Sequence, residues 1–113
     1  MKFALMIIET AESKRSIATD NAAHGGAIGK WMGELGATGK LVGGEAFDTV
    51  DRQPTVVRKS ADGVAVSNAP FAGETETIGG YILVEAADEA EAVEIAKTWP
   101  TPETIEIWPV LPN

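Results

Sequence analysis

The chain has 113 residues, 44% of them apolar, with charges of both signs scattered along it. This is a globular composition sized for one domain over 1–113. A net charge of −8, with only nine basic residues and those dispersed, excludes a broad phosphate-binding surface, so nucleic acid is not an expected partner. The absence of cysteine excludes disulfides, thiolate catalysis and Cys-based zinc sites, and it suits a cytoplasmic location.

Phe3 to Ile8 is apolar on both faces and predicts a central strand. The run stops at Glu9, too short for a signal-peptide core or a membrane span. Glu9 to Ser16 is polar and reads as a loop. Thr19 or Asp20 then caps a helix that runs to about Ala37, with Gly39 just past its end. Lys40 to Phe47 predicts a second strand, in which Gly43-Gly44 suggest a bulge or a close backbone approach.

Thr55–Ser60 and Val64–Ser67 flank Ala61-Asp62-Gly63, a hairpin pattern. Asn68 to Thr77 reads as an irregular loop, and Gly80 to Ala86 as a strand. Asp88 and Glu91 have capping-box spacing ahead of an apolar stripe at Ala92, Ile95, Ala96 and Trp99, which Pro100 ends. Ile105 and Ile107 alternate with Glu106 and Trp108, so Thr104 to Val110 closes the domain as a strand.

The order β-α-β, hairpin, β-α-β predicts an α+β, ferredoxin-like sheet with both helices on one face. Strands as apolar as Phe3–Ile8 and Tyr81–Val84 then need a cover on the other face. A second copy packed sheet to sheet, a homodimer, is the simplest one.

His24 is the sole histidine, and it shares a helical stripe with Ile28, Trp31 and Leu35. At about 100° per residue the four fall within an arc of roughly 60°, so the imidazole points toward the sheet. An imidazole in water titrates near neutrality, which suits proton transfer, although a core histidine bonded to a carbonyl has the same spacing. Gly25, Gly29 and Gly33 form a smooth ridge on the same helix, open to a loop, a ligand or a partner backbone. No glycine pair has phosphate-loop spacing, and a lone histidine without a local carboxylate pattern is a poor metal site. No cofactor or metal is expected.

The segment Asn68-Ala69-Pro70-Phe71 with its flanks resembles the Asp-Gly-Pro-Phe motif of the DGPF subgroup of YCII-related proteins. Ile78-Gly79-Gly80-Tyr81 is similar to the leucine-glycine-glycine-tyrosine that opens the next strand of that family. Ala23-His24, Glu34-Leu35, Gly39-Lys40-Leu41 and Gly44-Glu45 match its first helix and second strand.

The resemblance implies a dimeric α+β barrel and a histidine–aspartate dyad; a few relatives are lyases on chlorinated hydroquinones. His24 takes the place of the family histidine, but Asn68 stands where the aspartate should be. Asparagine lacks the charge that holds an imidazolium, so Asn68 can only orient the ring, unless Glu45 supplies a carboxylate instead. Trp31, Phe71 and Tyr81 are the expected apolar walls of a ligand pocket.

Two functions follow. One is a small-molecule-binding domain with a degenerate dyad. The other is a cofactor-independent lyase or isomerase that uses His24 as general acid or base on a small cyclic or aromatic molecule.

Overall fold

In the computed structural model, which describes residues 1–71, 73 and 75–112, the chain is an α+β fold of antiparallel sheets and three helices. The elements run β1 (Lys2–Glu9), α1 (Ala11–Thr19), α2 (Asn21–Ala37), β2 (Leu41–Ala46), β3 (Val56–Ser60) and β4 (Gly63–Ser67), then β5 (Thr77–Glu85), α3 (Glu89–Lys97) and β6 (Thr104–Pro109). The main sheet has the order β2-β5-β1-β6, compatible with a ferredoxin-like arrangement, and β3-β4 form a sheet of their own. The expected loop Asn68–Thr77 includes Ala72 and Glu74, which lie outside the described residues.

Alternation along β1 sends Phe3, Leu5 and Ile7 to one face, where Ile82 and Val84 of β5 join them. Trp31 and Leu35 of α2 and Ala92 of α3 pack on that face and complete the core. The helical stripe through His24, Trp31 and Leu35 is buried, as the spacing predicts. Asp20 caps α2 by accepting from the Ala23 N–H at 2.9 Å, and Asp88 caps α3 in the same way through Glu91. The hairpin stands apart, with all but one of its strand residues exposed.

One expectation is overturned. The segment read as a loop from Glu9 to Ser16 holds most of α1, which the apolar period misses because Ile17 is its only large apolar residue. Its start is held by a capping box in which the Ser13 N–H donates to Thr10 Oγ1 at 3.2 Å and the Thr10 N–H to Ser13 Oγ at 2.7 Å. Serine in place of the usual glutamate hides this signal.

The Gly43-Gly44 expectation holds on both counts. The register between β2 and β5 shifts between Leu41 and Gly43. A Cβ on Gly44 would lie 2.5 Å from the Tyr81 carbonyl oxygen, and one on Gly80 would collide with the Glu45 carbonyl. Only glycine lets these strands come so close.

Among the described residues nothing explains the Gly25–Gly33 ridge in the same way, since a Cβ at Gly25, Gly29 or Gly33 meets nothing within 4 Å. Gly29→Ala and Gly33→Ala should therefore each stabilise the fold by about 0.5–1 kcal/mol in urea unfolding, because alanine costs less to order in a helix. Destabilisation by either would mean that the ridge is occupied.

Candidate functional site

A cavity of about 440 Å³ opens beside α1 and α2 over the strands. The apolar part of its wall includes Ile17 from α1, Ile28 and Met32 from α2, and Trp99 just after α3. Gly44, Gly79 and Gly80 border it on the sheet side, where the absence of side chains leaves the room. Glu9, at the end of β1, lies against Gly79: a Cβ there would come within 2.9 Å of the Glu9 side chain.

His24 and Glu103 meet in the wall of this cavity. The ring Nε2 lies 3.2 Å from Glu103 Oε1, with the two side chains 6% and 2% exposed. Oε1 also accepts from Thr101 Oγ1 at 2.8 Å and from Trp99 Nε1 at 3.3 Å. The second carboxylate oxygen, Oε2, is buried and has no hydrogen-bond partner among the described residues. On the other side of the ring, Nδ1 lies 2.9 Å from Ser16 Oγ.

An indole N–H can only donate, so Oε1 serves as acceptor, and Nε2 must carry a hydrogen to bond with it. In the neutral ring, Nδ1 then accepts a hydrogen bond from the Ser16 hydroxyl. Both ring nitrogens are engaged, and the unpaired polar atom of the group is Glu103 Oε2.

The expected partner of His24 is not the one observed. Asn68 is exposed, and its amide donates to the Pro54 carbonyl at 3.1 Å. It borders a different cavity with Lys14 and Arg52, so the Asn68–His24 pair expected from the motif is not formed. The resemblance assigned the partner from a motif position, whereas Glu103 reaches the ring across the start of β6.

Phe71 is also absent from the His24 cavity: it is 79% exposed, lies beside the Arg58 guanidinium, and borders a separate cavity with Phe47 and Ile78. Trp31 stands one layer back. Its Nε1 donates to Thr98 Oγ1 at 2.7 Å, and its ring meets Trp99 edge to face at 5.0 Å, so Trp99 is the indole at the cavity.

Glu45 and Tyr81 do border the cavity. They pair across β2 and β5, one residue out of step with buried Ile82, so alternation turns their side chains to the outer face. The ring of His24 bonds Ser16 and Glu103, and among the described residues Glu45 is not a partner.

Three residues of the site escaped the sequence reading. Ser16 was lost with α1. Trp99 was assigned to the core stripe of α3. Glu103 sits between Pro102 and the last strand, and its only signal was that a buried imidazole needs a partner. Among the described residues, no group of three or more His, Asp or Glu side chains is placed to hold a metal ion, and no helix is long and apolar enough to cross a membrane.

The single histidine makes the proton arrangement measurable without ambiguity. Nitrogen-15 shifts of the neutral ring should identify the Nε2–H tautomer, with Nδ1 as acceptor, and Ser16→Ala should weaken that preference. A Nδ1–H ring would contradict the pairing with Glu103.

No curated protein matches the sequence. The model of the YCII-related domain matches residues 1–112, almost the full length of the chain. The chain belongs to the YCII-related family.

Proposed function

We propose that this YCII-related domain binds a small, mainly apolar organic molecule in the His24 cavity and moves a proton on it through Glu103 and His24. A volume of about 440 Å³ falls in the range of small-ligand sites, which combine apolar walls with a few polar groups. The observation that carries the reading is the buried His24–Glu103 pair in that wall, with Oε2 left over. A buried carboxylate hydrogen-bonded to an imidazole is an acid–base pair able to take up and return a proton. His24 donates to it and can share the charge that develops, while Ser16 sets the ring. The reaction class is elimination or isomerisation, which needs no redox group.

The roles are thus redistributed relative to the motif. Glu103 supplies the carboxylate that Asn68 cannot. A binding-only domain is the second reading, favoured by the engagement of both ring nitrogens.

Deuterium exchange separates the two. A ligand identified by NMR shifts at His24, Gly25, Ile28 and Trp99 should exchange an acidic C–H with solvent D2O. Glu103→Gln should slow that exchange by about 10²-fold or more, while binding persists. Binding without exchange in the wild type supports the binding-only domain. Gly25→Leu should fill the cavity from the helix side and abolish the shifts, and shifts that survive it would place the ligand elsewhere.

We also assign the chain to the DGPF subgroup, on the Asn68–Phe71 loop and the Ile78–Tyr81 strand start, and to a ferredoxin-like dimer. Support for the dimer comes from the outer face of the sheet, which carries Met6, Ile8 and Leu83 together with Trp108 at 58% exposed. Sedimentation should give a dimer, and Trp108→Glu should shift it toward monomer with the fold retained. A monomeric wild type at about 100 μM would end this assignment.

A further inference from the structure

Helix α1 carries three hydroxyl side chains, and they are used in two ways. Ser13 donates to the Thr10 carbonyl at 3.1 Å and Thr19 to the Arg15 carbonyl at 2.7 Å, the common habit of a helical serine or threonine. Ser16 does not follow it. Among the described residues its side-chain partner is Nδ1 of His24, at 2.9 Å. Because Nε2 carries the hydrogen that bonds Glu103, Nδ1 is the acceptor and the Ser16 hydroxyl the donor.

This arrangement activates a hydroxyl. Serine is a weak nucleophile until a neutral imidazole stands ready to take its proton as the new bond forms. The imidazole in turn needs a group on its far nitrogen that fixes the tautomer and meets the charge of the imidazolium. Glu103 does both, and it is itself held by Thr101 and Trp99. Ser16, His24 and Glu103 thus make the two contacts that join a nucleophile to its base and the base to its orienting carboxylate. The two ring nitrogens exchange the places they hold in serine proteases, with no change in the logic.

The hydroxyl also has a space beside it. His24 borders another cavity, of about 650 Å³, and Ser16 borders this one and not the apolar one. Ser16 is half-buried where His24 is buried, so the serine is the more accessible member of the pair. Glu12, Arg15, Asp20 and Thr101 give this cavity a polar lining, which suits a short polar acyl group better than a fatty chain.

We propose that Ser16 is the nucleophile of an acyl-transfer site in the polar cavity, acting on a small ester or thioester whose leaving group is stable as an anion. Ser16 Oγ attacks the acyl carbon as its proton passes to Nδ1, and the imidazolium is held by Glu103. The bond to the leaving oxygen or sulfur breaks; that atom departs with the electron pair and takes the proton from Nδ1. Water then attacks the acyl-serine and gives a proton to Nδ1. The Oγ–acyl bond breaks, Oγ recovers that proton, and a carboxylic acid is released. This activity goes beyond the proton transfer proposed for the apolar cavity and uses the other nitrogen of the same ring.

The test is hydrolysis of p-nitrophenyl acetate by the full chain, together with labelling by phenylmethylsulfonyl fluoride mapped by peptide mass spectrometry. The wild type should turn over the ester, and the reagent should modify Ser16 and stop turnover. Ser16→Ala should lower the rate about 10²-fold or more, with folding checked by urea unfolding. Should that variant fail to fold, the labelling of the wild type decides alone.

Turnover that survives in folded Ser16→Ala but is lost in His24→Ala would show the imidazole reacting directly, and would overturn the assignment. An unmodified Ser16 in the wild type overturns it as well. Either result leaves the reading of the apolar cavity standing, since that reading is tested by exchange on its own ligand.

Discussion

The structure turns on one buried carboxylate. Glu103 Oε1 gathers donors from His24 on α2, Trp99 just after α3 and Thr101 in the segment before β6. Through His24 the network continues to Ser16 on α1. Helices α1 and α2 are thereby tied to the short segment 99–103 ahead of β6, and each tie to Oε1 has a direction set by donor chemistry. A buried carboxylate is destabilising unless its charge is met by hydrogen bonds, so removing one partner leaves the others exposed to the same penalty. The network therefore specifies how the three helices sit around the cavity as well as what the cavity can do.

The sheet supplies the space that the network faces. Gly44 and Gly80 let β2 and β5 approach more closely than side chains allow, and the same lack of side chains opens the cavity on its sheet side. Gly79 accommodates Glu9. The aromatic support lies on the opposite side, where Trp31 holds Trp99 edge to face and Trp99 in turn donates to Glu103. Packing and chemistry share residues here. A change at Trp31, which does not border the cavity, acts on the site through Trp99.

The architecture was legible because its signals are periodic and local. The apolar run of β1, the Asp20 and Asp88 caps, the Asp-Gly hairpin and the alternation of β6 each need only a few neighbouring residues to be read. Helix α1 was not, since its capping box has serine at the third position and its apolar face is a single isoleucine.

The site was half legible. Helical spacing was enough to turn His24 inward, and strand glycines were enough to suggest close approach. The identity of its partner was not, because Glu103 lies 79 residues away and nothing local distinguishes it from the other carboxylates. The motif directed attention to Asn68, whose amide instead closes its own loop onto Pro54. Long-range pairs between side chains are decided by the packing of elements, which a single sequence does not display.

The direct measurement is the coupling between His24 and Glu103 in a double-mutant cycle of unfolding free energies, using His24→Ala, Glu103→Ala and the double variant. A coupling of about 1–3 kcal/mol is expected for a buried charge-assisted hydrogen bond. Effects that add to within about 0.5 kcal/mol would show that the two side chains do not interact, and would leave the cavity without its acid–base pair.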